Sequence, residues 1–89
     1  MRIQIDPHTI ERAVARGANE DEIKDVLMSG FDIPANRNRR GKANVYQYNQ
    51  KRLNMSFEQK RIEVIYTIEG DRIVTATVYV LYGNWEETR

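Results

Sequence analysis

Apolar residues along this chain follow two rhythms that meet at Gly30. Before that glycine they recur at helical spacing, and after it they alternate. Ile10, Ala13 and Val14 share one face at i, i+3 and i+4, and Ile23, Val26 and Leu27 repeat the pattern. Asp6 before Pro7 reads as a cap followed by a first helical residue, which predicts a helix over about Pro7 to Arg16 with Gly17 as its stop. Asn19 and Glu22 have the spacing of a capping box. Glu20, Asp21 and Glu22 also suit the positive start of a second helix that ends at Gly30.

Beyond Gly30 the pattern is that of strands. "FDI" at 31–33 reads as a short one, and "PANRNRRGKA" after it reads as a polar, basic loop at about 34–43; at the other end of the chain, "RIQI" at 2–5 reads as a short strand or an ordered lead-in. "NVYQYNQ" alternates, "LNMSF" puts Leu53, Met55 and Phe57 on one side, and "RIEVIYTI" turns Ile62, Val64, Tyr66 and Ile68 inward. "EGDR" reads as a hairpin turn with Gly70 and Asp71 central. "IVTATVYVLY" is β-branched and apolar on both faces, as a central strand would be, and the chain is expected to fray beyond Trp85. The expectation is one α+β domain spanning residues 1–89. Its helical pair, about 7–30, packs on one face of a four-stranded (roughly three to five) antiparallel sheet at about 44–82.

Composition adds little to this until charge is read by position. The net charge is +1, with 40% hydrophobic and 30% charged residues. Residues 36–61 hold eight basic side chains against Glu58 alone, a balance of +7, while the segments on either side each stand at −3. A concentrated basic field attracts polyanions even on a nearly neutral molecule. Absence of cysteine excludes a disulfide framework and a thiolate zinc site. No stretch has the apolar length of a membrane helix, so a cytoplasmic protein without a membrane span is expected, and no cofactor or metal is called for.

Two groups of residues carry candidate chemistry. In "HTIERAVARG", His8, Arg12 and Arg16 follow one another at four-residue spacing. At about 100° per residue Arg12 and Arg16 stand about 40° and 80° round from His8, whereas Ile10, Ala13 and Val14 stand at about 140° to 240°. This stripe is either a phosphate-facing surface, with a histidine able to titrate near neutrality and two arginine forks, or a solvated helix face with weak surface pairs. The second group is Arg37, Arg39, Arg40 and Lys42 in the loop, with Lys51, Arg52 and Arg61 further on. These suit phosphate contacts, and Tyr46 and Tyr48 beside them suit stacking on unpaired bases; the alternative is a solvated loop with two core or edge tyrosines.

RNA cleavage needs little apparatus, because the ribose 2′-hydroxyl is itself the nucleophile. The protein need supply only a base, an acid and positive charge. His8 suits the proton transfers, Arg12, Arg16, Arg61 or a loop arginine the charge, and Tyr66 or Tyr79 a proton-donating or orienting role.

The order His8, Arg12, Arg16, Gly17, then Ile23, Val26, Leu27, Gly30, then the strand "IVTATVY" at Ile73–Tyr79, resembles the family called domain of unknown function 4258. The likeness covers about residues 8–80 and is most specific in the helical pair. That family is similar in layout to RelE-like and BrnT-like toxin ribonucleases. The resemblance implies a helical pair on an antiparallel sheet, a toxin–antitoxin setting, RNase activity without a metal, and a cognate antitoxin or immunity protein as partner. His8, Arg12 and Arg16 are the residues that carry over. The segment between the second helix and the last hairpin is longer and more basic than the family pattern.

Three readings stand side by side. A ribonuclease would turn the His8 stripe and the loop at 37–42 to one cleft. A non-catalytic nucleic-acid-binding module would have the same basic surface without needing His8. A protein-interaction domain would pin His8 internally and pair its arginines with acids. Exposed strand edges would also suit a homodimer.

Overall fold

The computed structural model describes residues 2–85; the expected fraying beyond Trp85 falls on residues outside these. Helix α1 is Pro7–Arg16 and α2 is Glu20–Ser29. The Asp6 carboxylate accepts from the His8 backbone N–H, and Asn19 and Glu22 close the capping box reciprocally. Gly17 ends α1 in the left-handed region at φ 103°. Glycine is required there for two reasons. A side chain would be strained at that φ, and a Cβ would run into the Tyr82 hydroxyl.

Five strands form one sheet: β1 Arg2–Gln4, β2 Phe31–Ile33, β3 Arg40–Arg52, β4 Met55–Glu69 and β5 Arg72–Gly83, in the order β1-β5-β4-β3-β2. The sheet is mixed rather than antiparallel throughout, because β1 pairs parallel with β5 at one margin. The expected four-stranded sheet thus gains a strand from the "RIQI" lead-in, whose β1–α1 connection delivers the chain to the helix layer. The loop is also shorter than 34–43. Strand β3 begins at Arg40, since Arg40–Ala43 pairs with β4 and Gly41–Ala43 also with β2. Gly41 allows this close packing, for a Cβ there would crowd Ile33 and Ile65.

Both helices lie on one face of the sheet, α1 over β5 and α2 over β4 and β3. The core joins Ala13, Ala18, Ile23, Val26 and Leu27 to Ile62, Val64, Tyr66 and Val78. Burying each of the larger aliphatic side chains contributes about 1.5–3 kcal/mol. Lys60 is buried beneath the helix connection, where its ammonium donates to the Gly17 carbonyl at 2.8 Å and pairs with Glu22 at 3.0 Å.

Four apolar residues depart from their expected faces. Val14 is 60% exposed while Thr9 is buried, so α1 is rolled towards its His8–Arg12–Arg16 side relative to the apolar pattern. Leu53 occupies the β3–β4 turn with Asn54, at φ 53° and 67°, and Met55 is exposed beside it, so Leu53, Met55 and Phe57 form no common face. Ile68 is also exposed, near the β4–β5 turn where the helices no longer cover the sheet. That turn is the expected one, with Gly70 at φ 63°.

Candidate nucleic-acid interface

Strand alternation divides the sheet residues between a helix-covered face and an open one. On the covered face the register aligns Val78, Val64 and Lys42, then Val80, Ile62 and Asn44. On the open face it aligns Thr77, Ile65, Gly41 and Ile33, then Tyr79, Glu63, Ala43 and Phe31, then Leu81, Arg61 and Val45. Tyr79 is half exposed at 49%. Among the described residues its hydroxyl makes no hydrogen bond and its ring stacks on no other aromatic.

The roll of α1 brings its cationic stripe to the flank of this open face. His8, Arg12 and Arg16 line a cleft of about 60 Å³ with Thr9 and with Ala76, Thr77 and Val78 of β5. Parallel β1 covers β5 only as far as Val74, so the strand edge beyond it faces α1. Arg16 closes that edge by donating from Nη1 to the Val78 carbonyl at 2.8 Å. A register shift between Ile65 and Tyr66 leaves Ala76 without a partner on β4, a bulge that lies directly in the cleft. The imidazole of His8 is exposed and lies 3.7 Å from Glu11, too long for a hydrogen bond. Among the described residues neither Arg12 nor Arg16 forms an ion pair.

Arg16 also lines a second cleft, of about 320 Å³, with Glu63, Tyr79, Val80 and Leu81. A third, of about 260 Å³, runs on across the open face between Thr77, Tyr79, Glu63 and Ile65 and the 34–39 loop, where Arg39 and Asn36 line it. Thr77 borders both the first cleft and the third. The His8 stripe and Arg39 therefore flank one continuous surface, with Tyr79 between them. Arg61 lies on this face too, paired with Glu63 at 2.8 Å and placed over the Phe31 ring at 5.3 Å.

Other expected site residues lie elsewhere. Tyr66 is buried in the core on the covered face, where it cannot serve a site on the open one. Tyr46 is on the covered face as well, and its hydroxyl donates to Asp25 of α2. That bond, more than those from Ser29 and Asn44, holds the Asp25 carboxyl below the usual range, and burial with the same carboxylate pushes the Tyr46 phenol up. Tyr48 packs against Tyr82 at 4.9 Å between ring centres. Both tyrosines are thus engaged in the fold rather than presented for stacking on bases.

The basic segment is also not one patch. Arg37, Arg39 and Arg40 are at one end of the sheet and Lys51 and Arg52 at the other; the run of β3 from Arg40 to Lys51 spans about 36 Å at about 3.3 Å per residue. Lys42 pairs with Asp32 at 3.1 Å. Arg52 donates to the Ala15 carbonyl at 3.3 Å and covers the Tyr82 ring, tying the hairpin to the end of α1.

Glu63 and Thr77 were not among the expected site residues. The alternation that turned Ile62, Val64 and Tyr66 inward would have found Glu63, since the same rule sends Arg61, Glu63 and Ile65 outward; Thr77 lies on β5, whose apolar residues on both faces give no such signal. Among the described residues no group of three His, Cys, Asp or Glu side chains converges as metal ligands, and no helix is long and apolar enough to cross a membrane.

Fold and surface together define an α+β domain whose sheet is covered by helices on one side and carries a cation-flanked open face on the other. The chain matches no family model, and no curated protein or solved structure matches it significantly.

Proposed function

We propose that this protein acts on RNA through the open sheet face, as a small ribonuclease of the metal-independent kind, in keeping with the likeness to domain of unknown function 4258 and the RelE-like layout. One observation carries the reading: His8, Arg12 and Arg16 on one side and Arg39 on the other flank a single surface joined through Thr77. A protein-interaction domain would pin the histidine and neutralise the stripe. Here the imidazole is exposed, and Arg12 and Arg16 pair with no acid among the described residues.

In the reaction the ribose 2′-oxygen attacks the adjacent phosphorus and the bond from phosphorus to the 5′-oxygen breaks. The products are a 2′,3′-cyclic phosphate and a 5′-hydroxyl. His8 transfers a proton at the cleft mouth, and solvent, which reaches this open surface, exchanges the other. Arg12 and Arg16 offset the additional negative charge on phosphorus in the transition state. An antitoxin or immunity protein would silence such a domain by covering this face.

The test is incubation of purified protein with a total RNA pool in the presence of a chelator, alongside His8→Ala. The proposal expects cleavage products ending in cyclic phosphate, lost in the variant. RNA retention without cleavage at any protein concentration would make the domain a binding module instead. Equal cleavage by wild type and His8→Ala would remove His8 from the reaction.

A further inference from the structure

We infer that the open face takes single-stranded RNA, with one unpaired base stacked on Tyr79 and the backbone carried by the cationic residues on either side. This rests on the RNA reading above and names the form of RNA and the role of one residue.

Charge and shape both favour this placement. The centre of the face is close to neutral, because the Glu63 carboxylate is matched by Arg61 at 2.8 Å. Around that pair stand Tyr79, Leu81 and Ile65, apolar or aromatic and at least partly exposed. Positive charge without an acidic partner among the described residues lies at the margins, in Arg12 and Arg16 along the β5 edge and in Arg39 of the loop. A phosphate placed at the centre would meet Glu63, whereas a base there meets an aromatic ring and apolar side chains. Phosphates placed at the margins meet arginine.

One margin is the β5 edge beside α1 and the other is the β2–β3 loop, whose Arg39 lines one cleft with Thr77 and Tyr79; from β5 to β3 or β2 is about 10–14 Å at about 4.8 Å per strand spacing. A few nucleotides of extended strand cover that distance. Duplex bases already stack on each other and offer no free face to Tyr79, whereas every unpaired base does.

This gives Tyr79 a role different from proton donation. A stacking platform needs the ring and not the hydroxyl, and among the described residues the hydroxyl has no hydrogen-bond partner to orient it.

The test is binding of a short fluorescent 2′-O-methyl oligonucleotide, which lacks the nucleophile and survives the assay, as single strand and as duplex. Tighter binding of the single strand is expected. Tyr79→Ala should weaken it by about 5- to 150-fold, the range of one base–aromatic stack, and Tyr79→Phe by less than about twofold. Equal binding of duplex, or a loss in Tyr79→Phe as large as in Tyr79→Ala, would overturn the inference and leave the RNA reading in place. Failure of both forms to bind would overturn the two together.

Discussion

Arg16 serves two structures at once. Its guanidinium closes the edge of β5 at Val78, and its backbone carbonyl accepts from the Tyr82 hydroxyl at 2.6 Å. Arg12, one turn earlier, is exposed and has no ion-pair partner among the described residues. Arg16→Ala is therefore expected to lower folding stability by about 1–2 kcal/mol through the lost charged hydrogen bond, and Arg12→Ala to leave it within about 0.5 kcal/mol. Urea denaturation separates the two, while both variants should weaken RNA binding. Asp25 offers a second check. Its folded pKa lies below the ordinary carboxylate value, chiefly through Tyr46, so its contribution is complete above the ordinary carboxylate range and is lost as pH falls through the depressed value. Tyr46→Phe should raise the Asp25 pKa in an NMR titration and make stability less dependent on pH in acid.

At the scale of elements, helix ends and strand alternation could be read directly, since caps and two-residue periods are local signals. Pro7, Gly17, the Asn19 capping box and the Gly70 turn all lie where the sequence suggested. What escaped was non-local. The pairing of β1 with β5 joins opposite ends of the chain, and the roll of α1 depends on which helix residues the sheet accepts. The β3–β4 turn was hidden for a different reason: Leu53 is a poor choice for left-handed backbone and gives no turn signal. Leu53→Asn is expected to stabilise the protein by about 1 kcal/mol, read as a rise in melting temperature. Gly17→Ala is expected to do the reverse, by about 1–3 kcal/mol, because it adds the collision with Tyr82 to the strain at φ 103°.

For the whole molecule, the distribution of charge matters more than its sum. Linear sequence gathered eight cations into residues 36–61, but the fold parts them: Arg37, Arg39 and Arg40 stand at one end of a body 42 Å long, Lys51 and Arg52 at the other, and Lys60 and Arg61 between them on opposite faces of the sheet. The surface that unites the candidate residues instead draws on α1, the 34–39 loop and the outward positions of β4 and β5. Sequence reading found His8, Arg12, Arg16, Arg39, Arg61 and Tyr79 of that surface, and no local pattern could show that they share it. If Arg12, Arg16 and Arg39 carry the phosphate contacts, log affinity against log salt should fall with a slope of about −2, at about −0.7 per contact on a single strand. The most direct measurement is a backbone amide NMR titration with a short single-stranded 2′-O-methyl oligonucleotide. The largest shifts are expected at 8–16, 36–39, 61–65 and 76–81. Shifts confined to α2 and the hairpin tip at 49–58, with the open face silent, would contradict binding through that face.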